Sequence, residues 1–186
     1  MGDIMSKTLL RLALGLALAT AAVPALAKNP MVGGAPMYAS KTIVENAVNS
    51  KDHTTLVAAV KAAGLVETLS GPGPFTVFAP TNAAFAKLPP GTVETLVQPQ
   101  NKAQLTGILT YHVVPGALTA KDLMAMVKEG GGQATLKTVN GGALSVEAKG
   151  KKIYVTDTKG NTATVTVANV MQSNGVIHVV NTVLMP

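Results

Sequence analysis

The sequence predicts an α+β domain in which short helices come first and an antiparallel β-meander follows. Two observations carry this. Apolar residues recur with a helical period of about 3.6 up to Gly130-Gly131-Gly132 and with a period of 2 after it. The segments beyond that point are joined by Asn140-Gly141-Gly142, Lys149-Gly150-Lys151 and Thr158-Lys159-Gly160-Asn161. Gly and Asn-Gly supply the positive φ of tight hairpins. Helices and strands are therefore segregated rather than alternating as in parallel βαβ proteins.

The chain has 186 residues with 47% hydrophobic and 13% charged, which excludes a disordered chain and fits one domain. No Cys is present, so a disulfide scaffold, a thiolate metal site and a Cys nucleophile are all excluded. With three Phe, three Tyr and no Trp, the core must be aliphatic.

Residues 1–27 read as a secretory signal peptide. Lys7 and Arg11 precede an apolar run, Pro24 breaks it, and Ala25 and Ala27 are the small residues before a cut after Ala27. The apolar stretch 12–27 is about 16 residues, short of the roughly 20 that a membrane span needs. No later run approaches that length, so no membrane span is expected after cleavage. The expected location is secreted or periplasmic. Beyond residue 27 there are thirteen Lys, no Arg and eight acidic residues. A basic domain without Arg is poorly equipped to read nucleic acid, where bidentate contacts favour Arg, and no nucleic-acid partner is expected.

Residues 28–37, rich in Pro and Gly, read as a flexible arm before a domain at 38–186. Ile43, Val44, Ala47 and Val48 mark a first helical face. Asp52 is a plausible N-cap for a helix burying Leu56, Val57, Val60 and Ala63 and ended by Gly64. Leu65, Val66 and Leu69 extend into a short helix before the rigid loop 70–74. Phe75-Thr76-Val77-Phe78 is a short buried strand bounded by Pro. Thr81 caps a helix burying Ala84, Phe85 and Leu88, with Asn82 at its first position, free to bond a neighbouring loop. Val93, Leu96 and Val97 form another short helix. Leu105, Ile108, Leu109 and His112 are spaced i, i+3, i+4 and i+7. His112 therefore lies on a helical stripe or, if a strand has already begun, alternates with Tyr111 and Val113. Pro115-Gly116 turns the chain, and Thr119 caps a helix with Leu123, Met124 and Val127 inward. Strands are expected at 135–139, 143–148, 152–157, 162–168 and 176–184.

Catalytic and metal constellations are missing from the pattern. His53, His112 and His178 have no metal-ligand spacing, and no nucleophile elbow or phosphate-binding glycine motif occurs. No enzyme activity, metal or cofactor is expected. His53 is expected exposed near a helix start, and His112 a hydrogen-bonded core histidine. Lys149, Lys151 and Lys152 cluster at one hairpin end. Lys159 falls about 20 Å away, beyond a Debye length, so the hairpin makes no single basic patch.

Three segments resemble a known family. They are Thr76-Val77-Phe78-Ala79-Pro80-Thr81-Asn82-Ala83-Ala84-Phe85, Leu109-Thr110-Tyr111-His112-Val113-Val114-Pro115-Gly116, and the closing run from Asn174-Gly175-Val176-Ile177-His178 through Asn181 to Pro186. In this order and spacing they resemble the motifs of fasciclin domains, over about residues 38–186. The resemblance implies a β-wedge packed with several short helices. It also implies a secreted, non-catalytic module for adhesion or matrix interaction, with a cell-surface or envelope protein or polysaccharide as partner. The alternative is a structural or stress-related envelope protein without a specific ligand. In the family the Tyr-His segment, here Tyr111 and His112, is linked to receptor binding in animal members. Those two residues and Asn181 are the candidate interaction residues. Thr76, Phe78, Pro80, Thr81, Asn82, Phe85, Pro115, Gly116 and His178 are candidate scaffold residues. Asn82 and Asn181 stand where the family commonly has Asp, which keeps a short hydrogen-bonding side chain and removes a charge.

Overall fold

The computed structural model describes residues 29–186. The leader expected at 1–27 lies outside the described residues.

The chain opens with a hairpin, β1 (Met31–Val32) and β2 (Ala35–Pro36). Three helices follow: α1 (Ile43–Ala47), α2 (Thr54–Ala63) and α3 (Val66–Ser70). Next come β3 (Phe75–Pro80), α4 (Asn82–Ala86), α5 (Thr92–Leu96) and α6 (Lys102–Tyr111). After β4 (Val113–Pro115) and α7 (Ala120–Glu129) the β-rich part begins. It contains β5 (Gln133–Lys137), β6 (Ala143–Lys149), β7 (Lys152–Thr156), β8 (Thr162–Gln172) and β9 (Gly175–Val180).

Seven strands form one sheet in the order β4-β3-β9-β8-β7-β6-β5. All neighbours are antiparallel except β3 and β9, which run parallel with Phe78 opposite His178. The sheet curls until its edges meet, and the Val139 N–H donates to the Val113 carbonyl at 2.8 Å. The result is the wedge with short helices that the fasciclin resemblance implied.

Two apolar clusters lie on opposite faces of the central strands. One joins α1 to α6 to Val77, Ala79, Ile177 and Val179. The other joins α7 and the meander to Phe78, Val180 and Leu184. Alternation along β3 and β9 sends neighbouring side chains to different clusters. All six residues of β9 are buried, as expected of a strand covered on both faces.

Several local expectations hold. The Thr81 side chain accepts from the Ala84 N–H. Thr119 and Asp122 form a full capping box on α7. Gly64 ends α2 in the left-handed region at φ 72°.

Others need correction. Residues 29–37 are not a loose arm: the hairpin forms, and Val32, Ala35 and Met37 are buried. Asp52 does not cap α2. It lies in a 3-10 turn (Lys51–His53), and the residue before α2 is His53, whose side chain makes no cap bond. His53 is buried rather than exposed, because the turn tucks its ring under the N-terminal hairpin. The last strand stops at Val180, and β8 runs on to Gln172 through two register shifts, with Asn169 at φ 59°. These bulges bend β8 around the end of the wedge.

Asn174 ties the two halves together. Its side-chain oxygen Oδ1 accepts from the Ile43 N–H at 3.0 Å, and its side-chain Nδ2 donates to the Leu69 and Gly71 carbonyls. Asn174→Leu should therefore cost about 2–4 kcal/mol, since buried backbone partners at the start of α1 and the end of α3 lose their bonds. Urea unfolding of the two proteins checks this; an unchanged midpoint would mean that the joint is dispensable.

Candidate functional site

The three motif segments, far apart in sequence, become three adjacent strands. The first supplies β3, the second runs from α6 into β4, and the third supplies β9 and the segment after it. Thr76 shows how tightly they are joined. Its hydroxyl donates to the Gly116 carbonyl at 2.6 Å and accepts from the Leu118 N–H at 2.8 Å, fixing the Pro115-Gly116 turn to β3. Gly116 takes φ 104°, a conformation that a side chain would strain.

Tyr111 and His112 end α6 and are both buried. The Tyr111 hydroxyl donates to the Ala143 carbonyl at 2.6 Å and accepts from the Thr158 N–H at 3.3 Å. His112 Nδ1 donates to the Ile108 carbonyl at 2.9 Å, the helical i−4 position. Its Nε2 accepts from the Leu184 N–H at 3.0 Å, which fixes the neutral tautomer with the proton on Nδ1. Burial lowers the pKa of the ring to about 4, against smaller opposing effects from the Ile108 carbonyl and the Asp157 charge. Asp157 holds the same tail one residue later, accepting from the Met185 N–H at 2.8 Å. It also accepts from the Lys159 and Asn161 N–H groups, closing its own loop.

His178 faces the other cluster. Its ring stacks on Phe78 with centroids 5.8 Å apart, Nε2 donates to the Leu118 carbonyl at 2.8 Å, and Nδ1 accepts from the Asn169 N–H. Burial lowers its pKa as well. Asn82 crosses to the neighbouring turn: its oxygen accepts from the Thr55 N–H at 3.0 Å and its amide donates to the Lys51 carbonyl at 2.8 Å. Pro80 and Phe85 are buried beside it, while Pro115 is exposed. Asn181, partly exposed, accepts from the Thr164 N–H through its side chain. Its backbone carbonyl accepts from Lys87 Nζ at 2.6 Å.

The candidate residues thus separate into two kinds. Tyr111, His112 and His178 spend their polar atoms inside the fold. Asn181 with Lys87 lies at the surface. Among the described residues no group of three or more His, Cys, Asp or Glu could hold a metal ion. Sequence reasoning missed Asn46, Asp157 and Asn174 as buried joints. Asn46 bonds both backbone groups of Tyr38 and the Gln172 side chain. Asn174 precedes Gly175 and reads as an ordinary turn signal; only its long-range partners reveal its role.

A fasciclin-domain family model matches residues 51–186. This chain belongs to the fasciclin family. It is 51% identical over 159 residues to protein sll1483 of Synechocystis sp., covering 86% of this chain and 81% of that protein. It is 35% identical to immunogenic protein MPB70 of Mycobacterium bovis, covering 91% of this chain and 90% of that protein. Against transforming growth factor-beta-induced protein ig-h3 of Sus scrofa the identity is 38%, covering 78% of this chain but 19% of that protein. Among solved structures, a FAS1 domain pair from the insect cell adhesion molecule fasciclin I superposes with a TM-score of 0.70 at 20% identity. That match covers 78% of this chain and 51% of the pair. It shows that the fold is the fasciclin fold.

The neutral histidines make fasciclin-fold stability depend on acid. An unfolded His titrates near 6.5, and folded His112 near 4. Between these values the unfolded chain binds more protons, so stability is complete above about pH 6.5 and falls as the pH drops toward 4. His112 alone accounts for about 3 kcal/mol of that loss. His53 and His178 shift in the same direction. Urea midpoints measured from pH 7 to pH 4 should show this slope, and His112→Gln should flatten it; a flat wild-type profile contradicts the assignment. His112→Gln should also speed hydrogen exchange at the Leu184 amide relative to amides in α7.

Proposed function

We propose that this chain is a secreted or periplasmic, non-catalytic docking module that mediates adhesion to a protein or polysaccharide of the cell surface or envelope. The observation that carries this reading is that the motif side chains with chemical potential are spent internally. Tyr111 and His112 are bonded on every ring heteroatom and substituent available to them, which leaves the outer surface as the working part. Membership of the fasciclin family and the likeness to an insect cell adhesion molecule support it.

On this reading Tyr111 and His112 act as braces. They hold the loop after β7 and the segment 181–186 in place, and a partner touches the surface so shaped. Asn181 and Lys87 are the candidate direct contacts on that surface. The Lys side chains at the β6–β7 turn contribute a weaker, salt-sensitive attraction to anionic polymers. One of them, Lys149, is already paired with Glu147 at 3.2 Å.

Beads coated with the purified protein should be retained by envelope fragments of the source cell, saturably and in competition with free protein. Lys87→Ala should lower retention severalfold while leaving the unfolding free energy within about 0.5 kcal/mol of wild type, as for an exposed side chain. Folded protein that is neither retained nor competed away would sink the docking reading and favour a purely structural envelope role.

A further inference from the structure

Beneath the N-terminal hairpin the fold holds a cavity of about 50 Å³ between α1, α2 and the central strands. Its walls are almost wholly aliphatic, with Val32, Met37, Leu56, Val60 and Ile177 among them. His53 lines the same space and is 3% exposed. Its Nε2 is, among the described residues, the one buried side-chain nitrogen or oxygen without a hydrogen-bond partner. Every other motif or joint residue buried nearby is satisfied, so the unpaired atom stands apart.

The ring is held from its other side. Ser50 Oγ lies 2.9 Å from His53 Nδ1, and a hydroxyl can donate or accept there. Nε2 can therefore carry either a proton or a lone pair. Burial lowers the pKa of the ring, with weaker opposing effects from the Ala79 carbonyl and Asp52. The Ala79 carbonyl is near enough to favour a proton, but no aligned hydrogen bond reaches Nε2. A neutral ring offers no charge to a carboxylate. It suits a hydroxyl or a ketone.

The hairpin roofs this space. β1 and β2 make their own two-stranded sheet, separate from the seven-stranded one. Gly33 at its tip accepts from the Lys51 N–H at 3.2 Å. A Cβ there would fall 2.4 Å from Ser50 Oγ and 2.6 Å from the Asp52 nitrogen. The hairpin is thus seated directly on the turn that carries His53, yet it shares no sheet hydrogen bonds with the body.

We propose that this cavity is a ligand site for a small, mostly apolar molecule whose single hydroxyl or carbonyl group bonds His53 Nε2, with the hairpin as the strap that lifts to admit it. Closed, the cavity has room for about one or two waters. Water needs two or more polar partners, and these walls offer little beyond Nε2. A guest with an apolar body matches the lining, and raising the strap supplies the remaining volume. The site is independent of the docking surface.

The test uses the folded protein with methyl-labelled Leu, Val and Met, titrated with cyclohexanol, cyclohexane and cyclohexanecarboxylate. Cyclohexanol should give saturable shifts at Met37, Leu56 and Val60, binding at least tenfold tighter than cyclohexane or the carboxylate. His53→Leu should abolish the preference for the alcohol. Gly33→Ala, which unseats the strap, should quicken exchange and keep the preference. If His53→Leu does not fold, the wild-type preference alone decides. Absence of saturable shifts, equal binding of alcohol and alkane, or a resident water that no alcohol displaces would each overturn the proposal.

Discussion

The strand β9 sits between β3 and β8 with every side chain buried, and the rest of the architecture is arranged to make that possible. A strand covered on both faces needs apolar partners above and below, which the helices supply on one side and α7 with the meander on the other. It also demands close backbone approach where it starts. A Cβ on Gly175 would lie 2.0 Å from the Phe75 carbonyl oxygen, so the parallel start of β9 against β3 admits only glycine. The buried His178 is tolerated there because both ring nitrogens find backbone partners. An unpaired imidazole at the same place would cost as much as a lost buried hydrogen bond.

Much of the local structure was legible because short-range chemistry decides it. Thr81 and Thr119 cap helices wherever tertiary contacts place them, and Gly-containing turns set the meander. What escaped was settled by distant partners. The segment before residue 38 has the composition of a linker, but Val32 and Met37 meet an apolar surface built by α1 and α2, and burial overrides composition. His53 follows from the same contact: the hairpin that covers it was not expected, so neither was its burial. Asp52 has the right type for a cap, but a 3-10 turn moves the helix start past it. The parallel pairing of β3 with β9 joins residues about a hundred positions apart, which no periodicity reports.

The candidate site shows the same division. The motif residues were found through resemblance, and the physical reading of His112 as a bonded core histidine agrees with its two backbone partners. The buried joints Asn46, Asp157 and Asn174 were invisible because Asp157 and Asn174 sit next to turns and read as turn formers, while Asn46 is one polar residue in a short helical pattern. Asp157 closes its own turn and also reaches Met185, whereas the side chains of Asn46 and Asn174 bond residues of other segments. A polar side chain whose partners lie far along the chain leaves no local signal of that role in the sequence.

The position of β9 has a consequence for assembly in time. It lies between β3 and β8 and follows both in the chain, so β3 lacks its parallel neighbour until β9 has been made. Until then the apolar side chains of both clusters that pack on β9 lack that cover. Such long-range pairing slows folding. A chain built this way completes its core only once β9 is in place.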